Sequence, residues 1–434
     1  MRVMVIGSKE KKFTKLALEK YSKFINPIDL LDKNAYTQDD KLIFRLLQME
    51  LIKLLNKFLN GDTLTRTGVL FFPFVNRQKN IGDGFFSLLY LTNLRKNYFS
   101  GSRVMLASLS EKRAIYPNDY AELVSILYQE VYEYAEKLRL ETNFTSVKVP
   151  LVYEEWSNET EKEEYLAPAA KLRDQLLELE SYITGFYFHG SVASLDYIPN
   201  WSDLDDLVIL KKDTVLNPSK LKIFQEQIFQ TKSQLYLFDP IQHHGHAFFS
   251  EMDMMYFPQS FFPLMLFETA VCCFGANKLL FQLRNDEFER VRNVMSLVKS
   301  LDKMNDESLS RPYVLKTYIS LLMLLPSMYL QVKNINCSKK DSFELAKNDF
   351  GDDWKAIDIS SDMREQWRFK KSSRWFREFL IKYPNPNYIM IWHYFFNALP
   401  HDIRKGVDNL IPSSNRFTNR LIENLENEGY LHAT

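Results

Sequence analysis

Asp203 and Asp205 stand two apart at the head of the apolar run Leu207-Val-Ile-Leu210, and a short spacer upstream Gly185-Phe-Tyr-Phe188 runs into His189-Gly190-Ser191. A pleated strand sends residues i and i+2 to the same face, so the two carboxylates are expected to converge on one point. Such a pair is costly unless a cation neutralises it. Mg²⁺, or Mn²⁺ in its place, suits a pair of carboxylates that also receives substrate phosphates. Gly190, which lacks a Cβ, lets the Gly190-Ser191 turn offer backbone N–H groups to a triphosphate at close range.

Apolar strands are the elements able to position these groups, one delivering the Gly-Ser turn and the next the acids. The turn, the spacer and the Asp-Leu-Asp strand head together resemble the nucleotidyltransferase superfamily, which includes DNA polymerase β, poly(A) polymerases, tRNA CCA-adding enzymes and antibiotic nucleotidyltransferases. The resemblance covers about a quarter of the chain. It implies an α+β fold with a small mixed β-sheet, and transfer of a nucleoside monophosphate from an NTP, ATP among the candidates, with release of pyrophosphate. Two cations ~4 Å apart would serve the attacking and leaving oxygens. One departure is Asp206, where this family usually has an apolar residue; it is expected to face the opposite side of the strand.

The resemblance also implies a third carboxylate on a neighbouring strand. Asp239, after Ser233-Gln-Leu-Tyr-Leu-Phe238 read as a strand, is the first candidate for catalysis and metal binding, and Asp253 is the reserve. Asp239-Pro240 as a plain turn is the structural alternative. Lys339, Lys340 and Ser342 are candidate nucleotide contacts from the C-terminal region, as basic and hydroxyl residues are in related enzymes. Gln242-His-His-Gly-His246 gathers three of the seven histidines. On a strand His244 and His246 would share one face and His243 the other, in contact with substrate or supporting the ligands, or merely satisfying buried hydrogen bonds. The basic and aromatic stretch Arg364 to Lys382 can hold a nucleic-acid backbone, but aromatics at helical spacing more often form core with the basic residues as the wet face.

Three regions follow from the pattern. Residues 1–158 read as an N-terminal α/β accessory region, with strand-like Met1–Ile6, Val69–Phe74 and Val104–Ala107 and helices over 41–58 and 119–141. Residues 159–285 form the sheet-bearing catalytic domain, with helices over 166–183 and 216–232. Residues 286–434 form a helical domain that closes the cleft, with helices near 288–301, 312–332, 361–383 and 387–398.

With 55 basic and 55 acidic residues among 434, the zero net charge gives no global pull on nucleic acid, so a long nucleic acid is possible but not favoured. The acceptor is not legible: a small molecule, an RNA 3′ end or a protein side chain fits equally well. Cys272, Cys273 and Cys337 supply neither a disulfide framework nor zinc spacing, which points to a reducing cytoplasm. The apolar run Ile319 to Leu330 falls short of the ~20 residues a bilayer span needs, so no membrane association is expected. A catalytically inactive nucleotide-binding or protein-interaction module on the same fold is the alternative reading.

Overall fold

The computed structural model describes residues 8–21, 40–61, 100–110, 116–138, 143–153, 156–159, 165–239, 241–242, 244–259, 262–283, 287–305, 309, 311–367, 375, 378–379, 399 and 401–431. The fold is mixed α+β. Its N-terminal helices are α1 (Ser8–Lys20), α2 (Asp40–Leu59), α3 (Ser100–Ser110) and α4 (Pro117–Leu138), followed by β1 (Asn143–Lys148). The central elements are α5 (Ala167–Leu177), β2 (Ile183–Phe188), the single turn α6 (Gly190–Ala193), β3 (Asp206–Leu210), α7 (Lys212–Leu216), α8 (Pro218–Phe238), β4 (Ala247–Ser250), β5 (Val271–Gly275) and β6 (Lys278–Leu283). Helices α9 (Glu287–Met304), α10 (Pro312–Leu322), α11 (Leu325–Val332), α12 (Lys339–Phe350), α13 (Lys355–Glu365) and α14 (His401–Asn427) complete the chain.

A four-stranded sheet in the order β4-β3-β2-β5 sits at the centre, with β2 antiparallel to both β3 and β5, and β3 parallel to β4. Strand alternation divides its side chains between two layers. Phe186, Phe188, Val208, Leu210 and Phe248 face a core shared with α2, α4, α5 and α8. Tyr187, Leu207, Ile209 and Phe249 face an aromatic layer with Phe257, Phe262, Phe267 and Phe281. Burial on both faces explains why β2 and β3 read as continuous apolar runs. Antiparallel β1 and β6 form a separate ribbon.

Helices α2 and α4 therefore share the sheet's own core, while Ala17 and Tyr21 of α1 join the second core, built from α9 to α14. Residues 312–332 are apolar enough by composition to cross a membrane, yet 61% of that window is buried inside the protein. The chain breaks there into α10 and α11, with Pro326 in the first turn of α11, where its missing N–H costs nothing.

Several expected elements differ. Val104–Ala107 lies within helix α3, not a strand. Ser233–Phe238 continues α8, whose Asn217 cap accepts from Ser219 and Lys220 N–H, and Asp239 is its C-cap rather than a strand end. Short apolar runs cannot be told apart by periodicity alone, and an already nucleated helix propagates through them. Of the stretch 242–249, read from the sequence as strand-like, residues 247–249 are regular strand, in β4, and 242 and 244–246 are not. Met1–Ile6, Val69–Phe74, 387–398 and most of 368–383 lie outside the described residues.

Candidate active site

The end of β2 and the approach to β3 build the site. Gly190 has φ +68°, a conformation that glycine adopts without strain, and a Cβ there would meet Asp205 Oδ2 at 2.6 Å. Glycine is thus required twice, for the backbone and for the approach of the carboxylate. Trp156 Nε1 donates to Val192 O at 3.0 Å and pins the turn from the core side. His189 N–H donates to Asp205 O at 3.1 Å, tying the end of β2 to the acid-bearing segment.

Asp203 and Asp205 lie in the extended stretch just ahead of β3. Gln242 holds that stretch by accepting from Leu204 N at 3.1 Å and donating to Leu204 O at 3.2 Å, so one buried amide mimics a strand neighbour. Upstream, Ser202 Oγ accepts from Ile198 N at 2.8 Å and closes the turn that leads in. The flanking acids consequently emerge on one side. His244 Nε2 lies 3.1 Å from Asp205 Oδ1 and 3.5 Å from Asp203 Oδ2, so both carboxylates reach a common point. Their side chains are 12% and 31% exposed, so solvent reaches the carboxylates, while His244 Nε2 occupies the point between them.

The neighbours carry compensating charge. Lys316 of α10 donates to Asp203 Oδ1 and to Asp239 Oδ2 from a nearly solvent-free position. Burial opposes its charge, but the charges of Asp203 and Asp239 outweigh burial and raise its pKa. For Asp239, burial is the leading influence and lifts the pKa to about 7, with Lys316 pulling down and Asp203 pushing up. Burial likewise disfavours the His244 imidazolium, yet its hydrogen bonds to Asp203 and Asp205 hold its pKa well above the usual range. Asp205 is lowered because the His244 bond and charge exceed its own desolvation. His189 is lowered, by burial first, against the pull of Asp205 and Asp206.

The other candidates divide clearly. Asp206 turns inward: its Oδ2 is 2.7 Å from His246 Nδ1, whose Nε2 is 3.0 Å from Thr231 Oγ1. His244 and His246 thus do not share a face, because residues 244–246 precede the regular strand; His243 lies outside the described residues. Asp253 is committed to the core, accepting from Tyr132 at 2.6 Å, Tyr128 at 2.9 Å and Ser250 N at 2.7 Å. Lys339 opens α12 half-buried and within electrostatic reach of Asp203 and Asp205; burial lowers it to about 8, and the charge of Arg364 contributes. Lys340 is exposed, and Ser342 is buried with its hydroxyl donating to Lys339 O at 2.7 Å, so that hydroxyl serves the helix rather than the cleft.

Lys316 and Arg364 are the site neighbours that sequence reading did not single out for this role. The signal for Lys316 was a lone cation inside the apolar helix Pro-Tyr-Val-Leu-Lys-Thr-Tyr-Ile, since a buried charge requires a partner. Arg364 Nε is buried with no hydrogen-bond partner among the described residues. A cavity of about 820 Å³ lies at the opposite end of the sheet, beside Thr184, Lys211 and Glu251. Glu251 is already held there by Thr184 at 2.7 Å and Lys212 N at 2.8 Å.

Among the described residues no group of three or more His, Cys, Asp and Glu side chains is placed to hold a metal ion. Asp203 and Asp205 offer the oxygen ligands that Mg²⁺ or Mn²⁺ takes, and a cation held by both would replace His244 Nε2 between them. No protein-family model matches this chain, and comparisons with curated proteins and with solved structures found no match either.

Proposed function

We propose that this chain is a divalent-metal-dependent nucleotidyltransferase that moves a nucleoside monophosphate from an NTP to an acceptor hydroxyl and releases pyrophosphate. The observation that carries the reading is the meeting of Asp203 and Asp205 at His244 Nε2, beside the positive-φ Gly190 turn. The small mixed sheet, with β2 antiparallel to β3 and β3 parallel to β4, supports the reading as far as the coarse α+β class goes.

Asp203 and Asp205 would hold the cation. When bound, it neutralises phosphate charge and polarises the reacting phosphoryl group. Gly190 and Ser191 would give the triphosphate close backbone approach, and Lys339 and Arg364, two cations whose pKa values burial lowers, would offer it charge from the helical side. Gln242 and the 198–202 turn hold the acids in register, so catalysis would rest on positioning and electrostatics more than on covalent chemistry. Asp239 has no part as a cation ligand in this reading, because Lys316 takes one of its carboxylate oxygens and Ile241 N–H the other.

A second reading, a nucleotide-binding module without transfer, is favoured by that same engagement of Asp203 and Asp239 by Lys316. The deciding experiment incubates the protein with each of the four α-labelled NTPs, Mg²⁺ or Mn²⁺, and fractionated cell extract. Label moving to one fraction, with pyrophosphate released, and lost in Asp203→Asn and Asp205→Asn, supports transfer. Saturable nucleotide binding with no labelled product in any fraction supports the module.

A further inference from the structure

We infer that Lys316 occupies, as a built-in ammonium, the place beside Asp203 that a second cation would take, so that this site binds a single divalent ion. The inference rests on the reading of Asp203 and Asp205 as the cation shelf and departs from the two-cation arrangement that the resemblance implies.

The geometry around Lys316 suits an ammonium and not a hydrated divalent ion. Its side chain is 1% exposed, and its Nζ donates to Asp203 Oδ1 and Asp239 Oδ2. The same nitrogen lies 5.6 Å from the centre of the Trp201 ring, which is itself fixed edge-on against Trp367 at 5.1 Å. An aromatic face and a dry wall stabilise an alkylammonium. Mg²⁺ gives up water reluctantly and favours six oxygen ligands, which this enclosure lacks.

The carboxylate inventory points the same way. Asp239 Oδ1 accepts from Ile241 N at 3.1 Å and Oδ2 from Lys316, so neither oxygen is turned to a further ion. Asp203 divides its oxygens, Oδ1 toward Lys316 and Oδ2 toward His244 Nε2 at 3.5 Å, the nitrogen that Asp205 also approaches. One side of Asp203 is therefore already served by the buried ammonium, and an exchangeable cation would take the other side in place of His244 Nε2. Lys316 acts here as a positioning residue: by holding Oδ1 it sets the direction of Oδ2.

Mn²⁺ binding to the full chain, followed by electron paramagnetic resonance of free and bound ion, tests this without relying on turnover. The wild type is expected to take up a single tightly held equivalent with an uncoupled spectrum, weakened ~10-fold or more by Asp205→Asn, which removes one of two charged ligands. Lys316→Met, which frees Asp203 and Asp239 while preserving side-chain bulk, is expected to gain a second equivalent with a spin-coupled spectrum. Two Asp205-dependent equivalents in the wild type would overturn the inference while leaving the proposed cation shelf standing. So would a folded Lys316→Met protein that still binds one. Absence of any Asp205-dependent Mn²⁺ binding in the wild type would overturn the cation shelf itself, and the inference with it. Should Lys316→Met fail to fold, the wild type and the charge-preserving Lys316→Arg decide, with a second coupled ion in either counting against it.

Discussion

His244 and His246 are two residues apart but do opposite work. His244 is half-buried and touches the two carboxylates, whereas His246 is fully buried between Asp206 and Thr231. His244→Ala is expected to alter Mn²⁺ affinity and transfer with little change in melting temperature. His246→Ala leaves Asp206 buried without its partner, and Asp206 Oδ1 already has none among the described residues. The expected cost is ~1–3 kcal/mol, measurable by denaturant unfolding; equal stability losses in both variants would contradict the division. Lys339 adds a pH signature. Burial first, then Arg364, lower its pKa to about 8 against the pull of Asp205 and Asp203, so it is charged below that pH and neutral above it. Nucleotide affinity is therefore expected to fall as pH rises through about 8, while Lys339→Met binds more weakly at pH 7 and loses that inflection. Titrations of a fluorescent NTP across pH 6.5 to 9.5 would read it.

Elements bring these residues together with modest means. The acid-bearing segment is tied to β2 by the bond from His189 N–H to Asp205 O, and Gln242 supplies two more through Leu204. Gln242→Leu fills the same volume but leaves a buried N–H and C=O unpaired. A loss of ~1–3 kcal/mol is expected, together with weaker Mn²⁺ binding, because Asp203 and Asp205 flank the released peptide. Unchanged Mn²⁺ affinity in that variant would show that the acids are held by other contacts. Helix α8 reaches the site from the other side. By running on through Phe238 it delivers Asp239 as a C-cap, close to Lys316, where a strand over the same residues would have placed it in the sheet.

The whole molecule joins two cores across this site. The first covers one face of the sheet, whose other face carries the aromatic layer, the second gathers α9 to α14, and α1 packs onto α14. Thr14 Oγ1 donates to Asn419 Oδ1 at 2.6 Å, Lys20 pairs with Glu426 at 2.8 Å, and Ala17 is buried between them. Ala17→Asp places a charge in that seam and is expected to cost ~1–3 kcal/mol. Hydrogen exchange should show the loss in α14 while β2 and β3 keep their protection; uniform loss would mean that the two cores unfold as one. The sequence by itself determined the features set by near neighbours: the Gly190-Ser191 turn, the paired acids, the apolar runs of β2 and β3, and most long helices. Each depends on backbone preference or on period over a few residues. Only the tertiary structure decided which charges meet those acids, since Lys316 lies 113 residues from Asp203 and 77 from Asp239 in the chain. It likewise turned His246 away from His244 and the hydroxyl of Ser342 into its own helix. Such pairings follow from how helices pack and which buried charges must find partners, and no local spacing encodes them.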